Sequence, residues 1–310
     1  MSRKIILIIK LILLALVVYF VFSLIFVDVM YGLMGFNNHV YYTNQRTPEK
    51  YGLISEERQI MTSDKMMINI YEVKVDNPKG VVILLSGIQG PCVTHMYGNA
   101  KLFAENGYAS ILVDVRGHGK SSGNKITFGI DDVRDVAAVV NYINTQERYF
   151  NIPILVMGVS MGGATAITSA SLIDDIDGLI AMSAFSSWTD VCLDTLEVIG
   201  IPRFIAEIFR PSVIIHGFCN YGLDFFKNEP KEAIKQIGDK PILFVHSSGD
   251  SVVPIKNNER ILQNYLGNNA TVWIRETDFH FIVLKNELDD PHTDSDYCDK
   301  IVAFLEENFA

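Results

Sequence analysis

Ser160 lies in Gly158-Val159-Ser160-Met161-Gly162, with Gly163 following. The apolar run at 153–159 reads as a buried strand, and the small-residue run at 164–170 reads as a helix. A serine on a sharp strand-to-helix turn presents its hydroxyl at the carboxyl edge of a sheet. The glycines let the backbone take that turn and let the neighbouring elements approach closely. The helix N-terminus beneath the serine favours developing negative charge. The chemistry this suits is nucleophilic attack on an acyl carbonyl. The chain has 22 glycines, so the pentapeptide alone is a weak signal, and a Gly-rich helix start with a capping serine is the competing reading. The partners decide.

A serine nucleophile needs a base, and the base needs an orienting acid. After a nucleophile on such a turn the acid and the base follow in chain order. Seven histidines are available. His39, His95 and His118 precede Ser160, His216 falls in a helical insertion, and His246 precedes the best acid. His280 and His292 remain. His280 closely follows the last strand, whereas His292 sits in an acidic approach to the last helix and reads as a solvated loop residue. For the acid, Asp250 lies just past the strand at 241–246, on the same sheet edge as Ser160. Asp278 is nearer to His280 in sequence, but two residues of one loop rarely face each other. A helix cap before Pro254 is the competing role for Asp250. Two backbone N–H groups must receive the oxyanion. Met161, next after the nucleophile, supplies one, and Ile88 in Ser86-Gly87-Ile88-Gln89-Gly90 supplies the other.

The elements around these residues follow from the apolar pattern. Residues 66–75 alternate as a strand and pair with 58–62. Short apolar runs at 81–86, 109–114, 153–159, 178–183, 241–246 and 271–275 fit strands buried on both faces. Helix-length segments at 96–106, 130–147, 161–173, 253–266 and 295–308 separate them. Such alternation predicts an α/β fold, a mostly parallel sheet with helices on both faces. The stretch 184–240 is too long for a structureless loop and reads as an inserted helical cap. Within it Phe204, Ile205, Ile208 and Phe209 form one stripe, expected to be buried either as cap core or as the roof of an acyl channel. With Phe185, Trp188, Phe218, Phe225 and Phe226 they make the cap aromatic-rich.

The first residues are of another kind. Residues 5–27 are apolar except for Lys10 and Ser23. At about 1.5 Å per residue that run spans roughly 35 Å, enough for a bilayer core. It is longer than the apolar region of a cleaved signal peptide, the alternative reading. Arg3, Lys4 and Lys10 lie on its N-terminal side and Asp28 follows, so the N-terminus is expected in the cytoplasm and the bulk of the chain outside. The expected organisation is an anchor over 1–30, a linker over 31–56 and a catalytic domain over 57–310. The chain of 310 residues has a formal charge of −10; the first 30 residues carry +2, leaving −12 on the rest. That excludes a basic nucleic-acid-binding surface. The four cysteines (Cys92, Cys192, Cys219, Cys298) are scattered, with no C-x-x-C pair to hold zinc or form a redox dithiol, and their pairing stays open.

Five pieces now stand in order: Ser86-Gly87-x-x-Gly90, the run from Asp114 to Ser121, Gly158-x-Ser160-Met-Gly-Gly163, Gly249-Asp250-x-x-Val253-Pro254, and His280. Together they resemble the α/β-hydrolase-fold serine hydrolases that include monoacylglycerol lipases and the serine aminopeptidases related to proline iminopeptidase. The resemblance covers about residues 57–310. It implies carboxylic-ester hydrolysis through a Ser160–Asp250–His280 triad, with neither metal nor organic cofactor and a small acyl compound as substrate. It makes the loop with Arg116 and His118 structural. The chain departs from many relatives in having Ser86 where they carry His, and in flanking His280 with Phe279 and Phe281. Thioester or peptide hydrolysis would use the same groups. A hydrolase-fold protein that binds a lipid or a partner without turnover is the alternative of another class. Oligomeric state is not legible.

Overall fold

Apolar runs too uniform to leave a face in water become the inner strands of one eight-stranded sheet. The computed structural model describes residues 2–309. In chain order the elements are α1 (Arg3–Leu33), β1 (Ser55–Met61), β2 (Met67–Val73), β3 (Gly80–Leu85), α2 (Tyr97–Glu105), β4 (Tyr108–Asp114), α3 (Val133–Asn144), β5 (Ile154–Val159), α4 (Met161–Leu172) and β6 (Gly178–Met182). The insertion follows as α5 (Trp188–Val198), α6 (Arg203–Ala206), α7 (Arg210–Tyr221), α8 (Asp224–Lys227) and α9 (Pro230–Ala233). β7 (Ile242–Ser247), α10 (Lys256–Asn264), β8 (Ala270–Arg275) and α11 (Ser295–Phe309) complete the chain.

The sheet order is β1-β2-β4-β3-β5-β6-β7-β8. β1 pairs antiparallel with β2 and β2 antiparallel with β4, whereas β4 through β8 run parallel. Alternate residues of each inner strand enter two separate apolar layers. Val81, Ile83 and Leu85 pack with α3, α4 and α10, while Val82 and Leu84 pack with α2 and α11. The continuous apolar runs are thus the mark of strands covered on both sides. β3 has β4 on one side and β5 on the other. The chain winds in opposite senses from that point, which leaves a crevice beyond the carboxyl ends of β3 and β5. The loop 86–90 and Ser160 stand at those two ends.

Three expectations change. The run at 271–275 is not buried on both faces: β8 is the sheet edge, and Val272 and Ile274 are exposed. Residues 31–56 do not hang free as a linker. Tyr31 and Phe36 are core residues, Val40 makes a β-bridge to His118, and both ring nitrogens of His39 lie within hydrogen-bond distance of carbonyls, those of Gly119 and Gly123. The cap stripe is not buried: Phe204 is 73% exposed, Ile208 49% and Ile205 37%. α6 is a single turn on the outside of the cap, too short to turn an apolar face inward along its length.

α1 has 31 residues; most of its apolar span is exposed, and its buried residues, Ser23, Val27 and Tyr31, lie in its last third. Its second half lies against α7. This helix is long and apolar enough to cross a membrane.

Candidate active site

Ser160 closes β5 and opens α4 with φ +57° and ψ −120°, a conformation costly for any residue with a side chain. Neighbours hold it there. The Ser160 N–H donates to the Met182 carbonyl at 2.9 Å, and the Ser160 carbonyl accepts from Ala164 N–H at 2.9 Å. Two glycines make the turn possible by close approach. A Cβ on Gly158 would lie 2.1 Å from the Gly162 carbonyl oxygen, and one on Gly162 would lie 2.4 Å from that of Leu85. α4 can therefore start directly against β3 and β5 only because both positions lack a side chain. Met161 is the first residue of α4, so its N–H has no partner within the helix.

Asp250 follows β7, as expected. Its Oδ1 accepts the N–H groups of Val252 (2.8 Å) and Val253 (2.9 Å), and its Oδ2 lies 2.8 Å from His280 Nδ1. Burial would raise the carboxyl. The hydrogen bond and electrostatic attraction of the His280 ring, the Val253 N–H and nearby His246 outweigh that and hold it below its ordinary value. A carboxylate can only accept. Nδ1 of His280 therefore carries the hydrogen, and in the neutral ring Nε2 is the accepting atom. Ser160, Asp250 and His280 are all buried, at 6%, 4% and 6% exposure.

The loop carrying His280 is tied down residue by residue. Ser183 Oγ donates to the His280 carbonyl at 2.6 Å, and Ser247 Oγ donates to that of Phe279 at 2.7 Å. Arg275, paired with Asp294, donates to the Ile282 carbonyl at 3.0 Å. Met182 and Ser183 are adjacent, so the backbone that receives the Ser160 N–H also fixes His280. Ser183→Ala is expected to lower kcat about tenfold, with KM and the unfolding midpoint changed little. One neutral hydrogen bond is worth only about 0.5–1.5 kcal/mol to stability, and a misplaced base slows a reaction by more than its contact energy. Steady-state kinetics on p-nitrophenyl acetate beside thermal melting check this, and an unchanged kcat would remove Ser183 from any positioning role.

Behind the acid lies His246. Its Nε2 donates to the Val253 carbonyl at 2.8 Å and sits 3.7 Å from Asp250 Oδ2. Burial pushes its pKa down, which favours the neutral ring, and its bond to Val253 braces the loop of Asp250. The rejected candidates stand elsewhere. His292 pairs with Glu105 on the surface, and Asp278 is exposed. Arg116 is buried between Asp64 and Asp135, and His118 bonds the Arg116 carbonyl, which makes that loop structural.

The loop after β3 passes directly beside the elbow: a Cβ on Gly87 would sit 3.4 Å from that of Ser160. Ile88 follows, half-buried, its carbonyl accepting from Gly90 N–H at 2.7 Å. Gln89, at φ +56°, reaches outward and its Nε2 donates to the Met34 carbonyl at 2.6 Å, at the end of α1. The end of α1 thus holds the loop that bears Ser86 and Ile88. The same helix end enters an aromatic cluster. Phe128 stacks on Trp188 at 3.8 Å, and Tyr31 meets Phe36, Phe128 and Trp188 edge-on. These rings belong to the apolar layer that contains Met161 and touches Ile88. Ser183, Ser247 and Gln89 escaped sequence reasoning, and His246 was weighed only as a base, because polar residues at strand ends and in loops are commonplace.

Among the described residues no group of three or more His, Cys, Asp or Glu side chains converges as a metal site would. All four cysteines are free. A cleft of about 890 Å³ lined by Leu172, Lys227, Glu229 and Glu232 lies at the opposite end of α4 from Ser160.

Over residues 76–222 the chain matches the family model described as serine aminopeptidase, S33. It is 28% identical over 187 residues to the uncharacterized protein YqkD of Bacillus subtilis, a match spanning 58% of each chain. It is 22% identical over 242 residues to the uncharacterized membrane protein YNL320W of Saccharomyces cerevisiae, covering 77% of this chain and 76% of that one. Among solved structures it is similar to the Pyrococcus furiosus esterase Pf2001, with a TM-score of 0.69 at 17% identity, over 88% of this chain and 98% of that one. The chain has the α/β-hydrolase fold, and across its nucleophile elbow and the first part of its cap it is similar to the serine aminopeptidase family S33.

Proposed function

We propose that this protein is a membrane-anchored serine hydrolase that cleaves carboxylic esters through an acyl-enzyme. The observation that carries the reading is the 2.8 Å contact between the ionised Asp250 and His280 Nδ1, on the same sheet edge as the strained Ser160. That contact leaves Nε2 as the basic atom of the ring. His280 Nε2 takes the Ser160 proton as Oγ attacks the acyl carbonyl, and Asp250 stabilises the imidazolium that forms. The N–H groups of Met161 and Ile88 receive the oxyanion in a site shielded from water, where such donors contribute several kcal/mol. His280 then hands the proton to the leaving alkoxide. A water molecule repeats the attack on the acyl-enzyme, with His280 again as base, and releases the acid. An active-site phosphonate probe should label Ser160, and an unlabelled Ser160 in the folded chain would remove the reading together with any serine-based alternative. The similarity to serine aminopeptidases favours a peptide substrate as the second reading, with the same groups in the same roles. Rates on p-nitrophenyl esters against amino-acid p-nitroanilides separate the two.

Topology follows from charge. Arg3, Lys4 and Lys10 hold the N-terminus in the cytoplasm, and α1 spans the membrane with the catalytic domain outside. Protease added to spheroplasts should digest the domain, and carbonate washing should leave the intact chain in the membrane. Protection of the domain in sealed spheroplasts would reverse the orientation.

A further inference from the structure

The cap touches α1 at a depth that matters. Counting back from Asp28 at about 1.5 Å per residue, Phe26, Ser23 and Tyr19 lie roughly 3, 8 and 13 Å along the helix, toward the middle of its apolar span. Each of the three has a partner on the cap. Phe26 packs on Phe209 with ring centroids 5.3 Å apart, Ser23 Oγ lies 2.5 Å from Ser212 Oγ, and the Tyr19 hydroxyl donates to the Ile208 carbonyl. Two of these contacts pair the hydroxyl groups of the apolar run with polar atoms of the cap. Ser23 Oγ also donates to the Phe20 carbonyl of its own helix at 3.1 Å, whereas the Tyr19 hydroxyl takes its partner from the cap, and hydrocarbon would offer it none. α1 and the cap therefore share one level, and the apolar run cannot enter a membrane without carrying residues 208–212 with it.

The outward surface at that level is apolar. Phe204 (73% exposed), Ile205 (37%) and Ile208 (49%) project from it, with Val198 (48%) and Ile199 (69%) at the preceding helix end. The charges interleaved with them are paired. Glu207 bonds Arg203 at 2.7 Å and Arg210 at 2.5 Å, Arg203 reaches Asp194 at 2.5 Å, and Arg210 reaches Asp190 at 3.3 Å. An apolar ridge whose neighbouring charges are neutralised suits a lipid interface better than water.

We propose that the ridge from Val198 to Ile208 is seated in the membrane leaflet on the domain's side, so that the cap as well as α1 is in contact with lipid acyl chains. The proposal rests on the reading of α1 as a membrane span. It deepens the proposed function, because a cap bathed in lipid beside the aromatic cluster of Tyr31, Phe36 and Trp188 brings the domain within reach of acyl compounds dissolved in the bilayer.

The test uses the full chain with Cys219, the exposed cysteine, replaced by Ser. Phe204→Cys, Ile208→Cys, Leu13→Cys and Asp76→Cys are each labelled with a thiol-reactive fluorophore and reconstituted in phosphatidylcholine vesicles with brominated acyl chains. The chain without an added cysteine is the labelling blank. Emission at 204 and 208 should fall by more than half, as at 13, while emission at 76 on the exposed side of the domain is unchanged. Quenching at 13 without quenching at 204 and 208 would overturn the proposal and leave the anchor standing, and it would point to a protein covering the ridge instead. Absence of quenching at 13 would overturn the anchor and this proposal with it. All four positions are exposed, so the variants keep the fold.

Discussion

Ser160→Ala and His280→Ala are each expected to lower ester hydrolysis by four orders of magnitude or more, and the double variant should be no worse than either single one. A nucleophile without its base, and a base without its nucleophile, both leave only binding and oxyanion stabilisation, so the losses do not add. Rates on p-nitrophenyl acetate, measured with phosphonate labelling and thermal melting on the same preparations, check this. The melting curve matters because Ser160 holds a strained φ of +57°, and alanine there inherits the same strain while losing only the hydroxyl. His292→Ala is the control: its ring bonds Glu105 at the surface, so activity should be retained. Loss of activity in His292→Ala with retention in His280→Ala would reverse the assignment of the base.

Asp250→Asn is expected to cost about 10⁴-fold in kcat while keeping the fold, as expected where an amide turns the ring to the wrong tautomer. The amide can present N–H to His280 Nδ1, which would then accept and leave the hydrogen on Nε2, the atom that must take the serine proton. The two N–H donors from Val252 and Val253 favour an oxygen at Oδ1, and so place the amide nitrogen at the His280 side. Stability should respond to acid as well. The folded-state carboxyl lies below its ordinary value, so its contribution is fully present above the unfolded pKa of about 3.9 and is lost as pH falls through the folded value. Asp250→Asn should therefore flatten part of the decline in thermal stability below about pH 4. A variant with kcat within tenfold of the parent would show that Asp250 does not orient the base.

The two predictions meet at a site with unequal legibility in the sequence. The elbow was readable because its constraints are local. A strand, a glycine where a Cβ would strike Gly162, a serine and a small-residue helix must be adjacent in the chain to build that turn. The inner strands were readable for a related reason: burial in two layers removes polar residues from both faces, and that leaves an unbroken apolar run. Asp250 and His280 were readable through order and position, since each follows a strand at the carboxyl edge. β8 was misread as doubly covered because a short run of Thr, Val, Trp and Ile looks the same at an edge as at the centre. Only the strand order leaves its outer side unpaired.

Tertiary structure alone decided the rest. Ser183 fixes His280 across 97 residues of sequence, and Tyr19 and Ser23 meet the cap across 189. No periodicity encodes such pairs, because each partner is an ordinary polar residue until folding brings it near the other. The same holds for Gln89, whose outward side chain gains meaning from the end of α1 beside it. The stripe at Phe204 to Phe209 shows the opposite limit. Its spacing specifies that one helical side is apolar, but what that side meets depends on where the cap is placed. In the folded protein Tyr19, Ser23 and Phe26 of α1 meet residues 208–212, and Phe204, Ile205 and Ile208 face outward and not onto the sheet. The amino-acid sequence by itself determined the sheet, the elbow and the long apolar helix, whose causes act between near neighbours. The join between that helix, the cap and the loop 86–90 was decided only in the folded molecule, because it depends on hydrogen bonds whose partners are far apart in the chain.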